Sequence, residues 1–171
     1  MTTCQRSYNM SRIRSKDTKP ELIVRHWLWS HGYRYRKNVK RLPGTPDIVL
    51  RKYGICIFVH GCFWHGHNHI TYPKTNVEFW RNKIERNIKR DNDDKQKLLD
   101  MGWNVITVWE CQLKKNNVEQ SMHEVEYWIN RSLLIKSGDR FSMHIDHRYY
   151  PSSEETNYDI AAEPEHNGYK E

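Results

Sequence analysis

The sequence predicts an α/β layered fold in which helices flank a mixed central sheet. Three observations lead there. Ile55 to His60 is apolar enough to be a buried central strand. Two shorter stretches, Tyr33 to Val39 and Asp47 to Leu50, stand ahead of it and are separated by turn residues. Helical spacing then appears on both sides of a last apolar run at Asn104 to Trp109. Helix, three meandering strands, helix, strand, helix is an order that packs in layers.

Residues 1–16 are polar and basic, with Arg6, Arg12, Arg14 and Lys16 around Tyr8 and Met10, and are expected to form a flexible arm. Thr18-Lys19-Pro20-Glu21 starts the first helix: Thr18 caps, Pro20 suits the first turn, and Glu21 closes a capping box. Leu22, Ile23, Trp27 and Trp29 are expected on its inner side, with Gly32 ending it. Leu42 to Pro46 and Tyr53-Gly54 are the turns between the first three strands. Thr75 and Glu78 offer a second capping box, opening a long helix to about Met101. Its inner side would be Ile84, Ile88, Leu98 and Leu99, and its outer face carries Arg81, Lys83, Arg86, Lys89 and Arg90. Gly102 stops it, and a fourth strand follows. Val118, Met122, Val125, Ile129 and Leu133 keep the spacing of a last amphipathic helix. Residues 17–135 are thus the expected folded domain, and 136–171 an acidic, flexible C-terminal tail.

A chain of 171 residues suits a single domain with a core of its own. Its charge is uneven: residues 1–135 hold 24 basic and 13 acidic side chains, whereas 136–171 hold 4 and 8. A basic body suits a polyanion such as nucleic acid; the bland alternative is ordinary solvation of a polar protein. The four cysteines form no CxxC pair and no dense secreted framework. Nothing at the N-terminus resembles a signal peptide, and no apolar run approaches the roughly 18–20 residues of a membrane helix. An intracellular, reducing setting is expected.

The chemistry concentrates in His60 to His69, ten residues at the end of the third strand that hold four histidines, one cysteine and two large aromatics. Cys62, His67 and His69 lie close together, and Cys111 follows the fourth strand directly. Two thiolates and two imidazoles match a closed structural zinc site. The alternative is a buried Cys62, a free Cys111 and surface histidines. Pro46-Asp47 at a strand start resembles metal-dependent nucleases, where a carboxylate leaving a sheet holds Mg²⁺ against a scissile phosphate. Most such aspartates are turn formers, and Glu21, which could reach the same ion through water, has its own ordinary reading as a capping residue. His60 and His65 remain for proton transfer, since imidazole titrates near neutrality. Phe63-Trp64 and Phe79-Trp80 are candidates for wedging between bases, although core packing is the better reading for Phe79.

These residues together resemble the very-short-patch repair (Vsr-type) DNA mismatch endonucleases. The resemblance rests on Pro43-Gly44-Thr45-Pro46-Asp47, on Val59-His60-Gly61-Cys62-Phe63-Trp64-His65 with a following His-x-His, on Glu78-Phe79-Trp80 and on Val108-Trp109-Glu110-Cys111. It runs from about Ser7 to Leu134. It implies a restriction-endonuclease-like (PD-(D/E)xK-type) fold and Mg²⁺-dependent nicking of one strand beside a T:G mismatch. Double-stranded DNA is the implied substrate and a MutL-type protein the implied repair partner. The implied setting is the bacterial cytoplasm, with action as a monomer. By the resemblance, Asp47 binds the catalytic magnesium, with the Val59 carbonyl as a second ligand. Glu21 and His60 would hold that ion's water, and His65 would transfer the proton. Phe63, Trp64 and Trp80 form the wedge, with Met10 of the arm entering from the other groove. Cys62, His67 and Cys111 are the implied zinc ligands.

Two departures stand out. His69 occupies the place of a second cysteine, giving Cys₂His₂, and Val59 replaces a threonine, which is harmless if only its carbonyl serves. Two other functions fit the same residues: a restriction or defence nuclease cutting a specific or modified site, and a non-catalytic zinc-stabilised DNA-binding module.

Overall fold

A computed structural model describes residues 5, 8, 16–67, 72–134 and 141–145. Met10, His69, most of the arm and the residues beyond 145 lie outside them. Helix α1 (Lys19–Ser30) begins with the expected capping box at Thr18 and Glu21. Its inner side is only partly the expected one: Ile23 and Trp27 pack against the core, but Leu22 and Trp29 do not. Val24 and Leu28 are buried, together with Glu21 and Arg25, whereas Leu22 and Trp29 are 51 % and 57 % exposed. The i, i+4 pair Glu21–Arg25 closes at 2.9 Å, which lets two charged residues occupy the buried stripe. An apolar count passes over such a pair.

Strand β1 (Arg36–Lys37) is much shorter than Tyr33 to Val39. Tyr33 donates its N–H back to Leu28 at the helix end, and Asn38 turns left-handed, so only two residues remain to pair. Strand β2 (Ile48–Leu50) and strand β3 (Ile55–His60) follow, joined by a 3-10 turn ending at Gly54. Helix α2 (Val77–Asp100) starts without the expected box: Asn76 is its cap residue, left-handed and making no side-chain bond to the helix. Strand β4 (Asn104–Trp109) is buried along its whole length. Helix α3 (Val118–Ser132) matches the predicted amphipathic segment as far as Ile129, whereas Leu133 falls at its C-terminal cap and is exposed.

The expected tail boundary needs correction at residues 141–145. Strand β5 (Ser142–His144) pairs parallel with β4, and Ile145 beside it is 1 % exposed. The pairing is anchored at both ends, by Val105 N–H to Phe141 O at 3.0 Å and Ile145 N–H to Thr107 O at 3.1 Å. Three residues are too few for a periodic pattern to register; the open edge of β4 supplies what the segment lacks.

The sheet runs β1-β2-β3-β4-β5, antiparallel from β1 to β3 and parallel from β3 to β5. Because strand residues alternate sides, the sheet has two distinct faces. Ile55, Ile57, Ile106 and Val108 pack with Val24, Leu28, Met122, Val125 and Ile129 of α1 and α3. Val49, Cys56, Phe58 and Val105 pack with Leu98 of α2. Asp47 and His60 continue the second series, so parity alone sends them to the α2 side. This mixed α/β arrangement is compatible with the restriction-endonuclease-like fold. Among the described residues, no helix is long and apolar enough to cross a membrane.

Candidate active site and metal centre

A cleft of about 1100 Å³ opens where β3 and β4 end, under α2, and is lined by Glu21, Asp47, Val59, His60, Trp64 and His65 among others. Crevices at the carboxyl ends of parallel strands are common ligand sites. Asp47 arrives there from a tight approach: Gly44 is left-handed and packed against Phe58 and Asp94, and Thr45 is left-handed in spite of its branched side chain.

Ile48 faces Ile57 across the antiparallel pair, so the same register carried on sets Val59 opposite Pro46. Proline has no N–H to offer. The Val59 N–H, for its part, donates to the Asp47 carboxylate, Oδ2 accepting at 2.8 Å. The N–H and C=O of a strand residue project to the same edge, so the Val59 carbonyl opens beside that carboxylate without a ladder donor. Burial pushes the Asp47 carboxyl up to about 6, and the neighbouring Glu21 charge adds to this, against the Val59 hydrogen bond.

Glu21 lines the cleft and also fulfils its ordinary role. Its carboxylate accepts from Thr18 Oγ1 at 2.9 Å, from the Asp17 N–H at 3.1 Å and from Arg25 Nη2 at 2.9 Å. Arg25 further bonds the Asp47 carbonyl at 3.3 Å, tying α1 to the start of β2.

His60 and His65 lie face to face, ring centroids 3.8 Å apart and planes 9° from parallel. Burial and the His65 charge push His60 down to about 3, so it is neutral at physiological pH. His65 Nδ1 meets Asp91 Oδ2 at 2.5 Å. Burial opposes the Asp91 charge, but the hydrogen bond and charge of His65 outweigh it and hold that carboxyl below its usual range. His60, His65 and Asp91 are close enough to hold a cation, yet stacked rings aim their in-plane lone pairs in parallel rather than at one point. The trio is better built for proton transfer.

A second donor group lies beside it. His67 Nδ1 sits 3.5 Å from Cys62 Sγ and 3.5 Å from Cys111 Sγ. Metal–sulfur and metal–nitrogen bonds of about 2.3 and 2.1 Å meeting at the tetrahedral angle would set an S···N edge of about 3.6 Å. The donors therefore already stand at the spacing that one shared ion would impose. Burial and the adjacent Cys62 push the Cys111 thiol up to about 11. His67 also stacks on Trp109 at 4.1 Å.

The aromatics form one cluster on the rim. Phe63 lies 5.2 Å from Trp64 and 5.5 Å from Trp80, and the two indoles are 5.9 Å apart. Lys83 Nζ lies 5.2 Å from the centre of the Trp64 ring and 5.4 Å from that of Trp80. Phe79 is 54 % exposed, which overturns its assignment to the core. Gly66, left-handed after the turn, lets the backbone approach α2: an added Cβ would clash with the Ile88 side chain.

A model of the DNA mismatch endonuclease Vsr family matches residues 1–71. The chain is 50 % identical over 121 residues to the type II nicking enzyme V.NmeAIP of Neisseria meningitidis, covering 68 % of this chain and 85 % of that protein. It is 40 % identical over 129 residues to the DNA mismatch endonuclease Vsr of Escherichia coli, covering 72 % and 83 %. The chain belongs to the Vsr family. It is a DNA endonuclease, and its substrate is DNA. It is 48 % identical over 111 residues to the type II nicking enzyme V.XorIIP of Xanthomonas oryzae, covering 64 % of this chain and 82 % of that protein.

Within this Vsr-family site, sequence reasoning missed Asp91, Lys95, His144 and Trp109. For Asp91 a signal existed. It stands seven residues after Ile84 and seven before Leu98, a carboxylate set into the apolar stripe of α2.

Proposed function

We propose that this Vsr-family endonuclease nicks one strand beside a T:G mismatch, using Mg²⁺ held at Asp47 and a structural Zn²⁺ held by Cys62, His67 and Cys111. The observation that carries the reading is the convergence of Asp47, His60 and His65 in one cleft whose rim carries Phe63, Trp64 and Trp80. The Asp47 carboxylate and the Val59 carbonyl are the groups that would hold the magnesium, with Glu21 in reach of its surroundings. When bound, the ion neutralises charge on the phosphoryl oxygens and acidifies water.

The chain's own groups supply the rest. Asp91 holds His65 at Nδ1, which leaves Nε2 to take the proton of the attacking water, while the Asp91 charge supports the imidazolium that results. His60, neutral, hydrogen-bonds without adding charge. The rim aromatics unstack the base step, which costs least where pairing is already weak, as at a T:G pair. Met10 would enter from the opposite groove, and His69 would complete the zinc site. Action as a monomer, a MutL-type partner and a nucleoid-bound, cytoplasmic setting belong to the same proposal.

A second reading is favoured by the relatives named as type II nicking enzymes: nicking at a specific or modified site without a mismatch. A strand-resolved assay on T:G and matched duplexes, with Mg²⁺ or EDTA, separates the two. We expect nicking of the T:G duplex alone, in Mg²⁺ alone, and its loss in Asp47→Ala with DNA still bound. Equal cutting of both duplexes would favour the second reading.

A further inference from the structure

Along its inner face, α2 reads Ile84, Ile88, Asp91, Lys95, Leu98: the apolar stripe is broken by two charges where the helix crosses the cleft. Asp91 is engaged by His65. Lys95 is half-buried, and among the described residues no carboxylate lies within ion-pair distance of it. Its close contact is His144, Nζ to Nε2 at 3.0 Å. An ammonium has donors only, so His144 Nε2 accepts, and this imidazole carries its proton on Nδ1. One of three Lys95 donors is thereby used.

His144 is itself held by the fold. Its strand partner is Thr107, which puts it on the α2 side of the sheet, and its ring lies 5.8 Å from Trp109 in a near-parallel stack. Burial works against the Lys95 charge and only the more distant Asp91 supports it. A half-buried cation without an ion pair is unfavourable until an anion arrives. The anion that a DNA endonuclease brings into its cleft is a phosphodiester.

We propose that Lys95, aligned by His144, contacts a phosphate of the DNA strand in the cleft, and that β5 is therefore part of the DNA-binding surface. Lys95 is the contacting group, and His144 a positioning residue. The proposal rests on the cleft being where DNA lies, but not on mismatch specificity or on cleavage.

The test is the salt dependence of duplex binding by the full chain in EDTA, on matched and T:G DNA. Removing one phosphate contact lowers the slope of log K against log salt by about 0.9. Lys95→Gln should show that drop and a roughly tenfold weaker affinity at low salt, alike on both duplexes. Lys95→Arg should keep the parental slope. His144→Gln, which retains an acceptor for Lys95, should bind more tightly than His144→Leu. Melting temperatures check that each variant folds. If Lys95→Gln keeps both the slope and the affinity of the parent while its Tm falls, the pair merely fastens β5 and the proposal is overturned. If T:G nicking fails but the slope change is found, the mismatch reading falls and this one stands.

Discussion

Asp47 occupies a place where its charge is disfavoured, near 6 against an ordinary 3.8. Two consequences follow from the sign of that displacement. The carboxyl must ionise to hold a cation, so nicking at fixed Mg²⁺ should fall as pH drops through about 6, and more Mg²⁺ should move the midpoint lower. For the fold itself the order is reversed. The folded value lies above the unfolded one, so the stability contributed by protonated Asp47 is complete below about pH 4 and lost as pH rises through about 6. In EDTA, Asp47→Asn should therefore raise Tm at about pH 7.5 and add little at about pH 4; an equal gain at both would show that desolvation is not the cause. Asp47, His60 and His65 were legible because their residue types cluster near one strand end. Asp91 left one mark, a carboxylate at the apolar spacing of α2, but nothing local shows that a histidine from a distant turn will meet it.

At the level of elements, the helices were legible and the short strands were not. α2 and α3 have many turns over which apolar residues can recur. β1 is cut to two residues by a helix cap on one side and a left-handed Asn38 on the other. β5 owes its existence to the edge it joins, with Phe141 against Trp128 and Gln112 donating its side-chain N–H to the Ile145 carbonyl. Ile145 is the buried anchor of that segment, so Ile145→Ala should cost about 2–4 kcal/mol, measured by urea denaturation. A change within a few tenths of a kcal/mol would mean that β5 contributes no packing.

For the molecule as a whole, the two metal proposals separate by what each removal does. Stripping Zn²⁺ with a chelator and restoring Mg²⁺ should lower Tm and leave the enzyme inactive, because three ligands from two loops lose their common partner. Magnesium withdrawal alone should stop nicking with little loss of Tm. Metal content after desalting, with the melting curve, checks both. Trp64→Ala should reduce T:G nicking more than plain duplex affinity, since phosphate contacts supply most of the latter; an equal fall in both would remove the wedge. Trp109 joins these events. Its indole rests against His67 of the thiol centre and against His144, the neighbour of Lys95. A fluorophore so placed is a natural gauge: its emission should change once when the zinc ligands are loaded and again when duplex fills the groove, letting both occupancies be followed in one cuvette without a label.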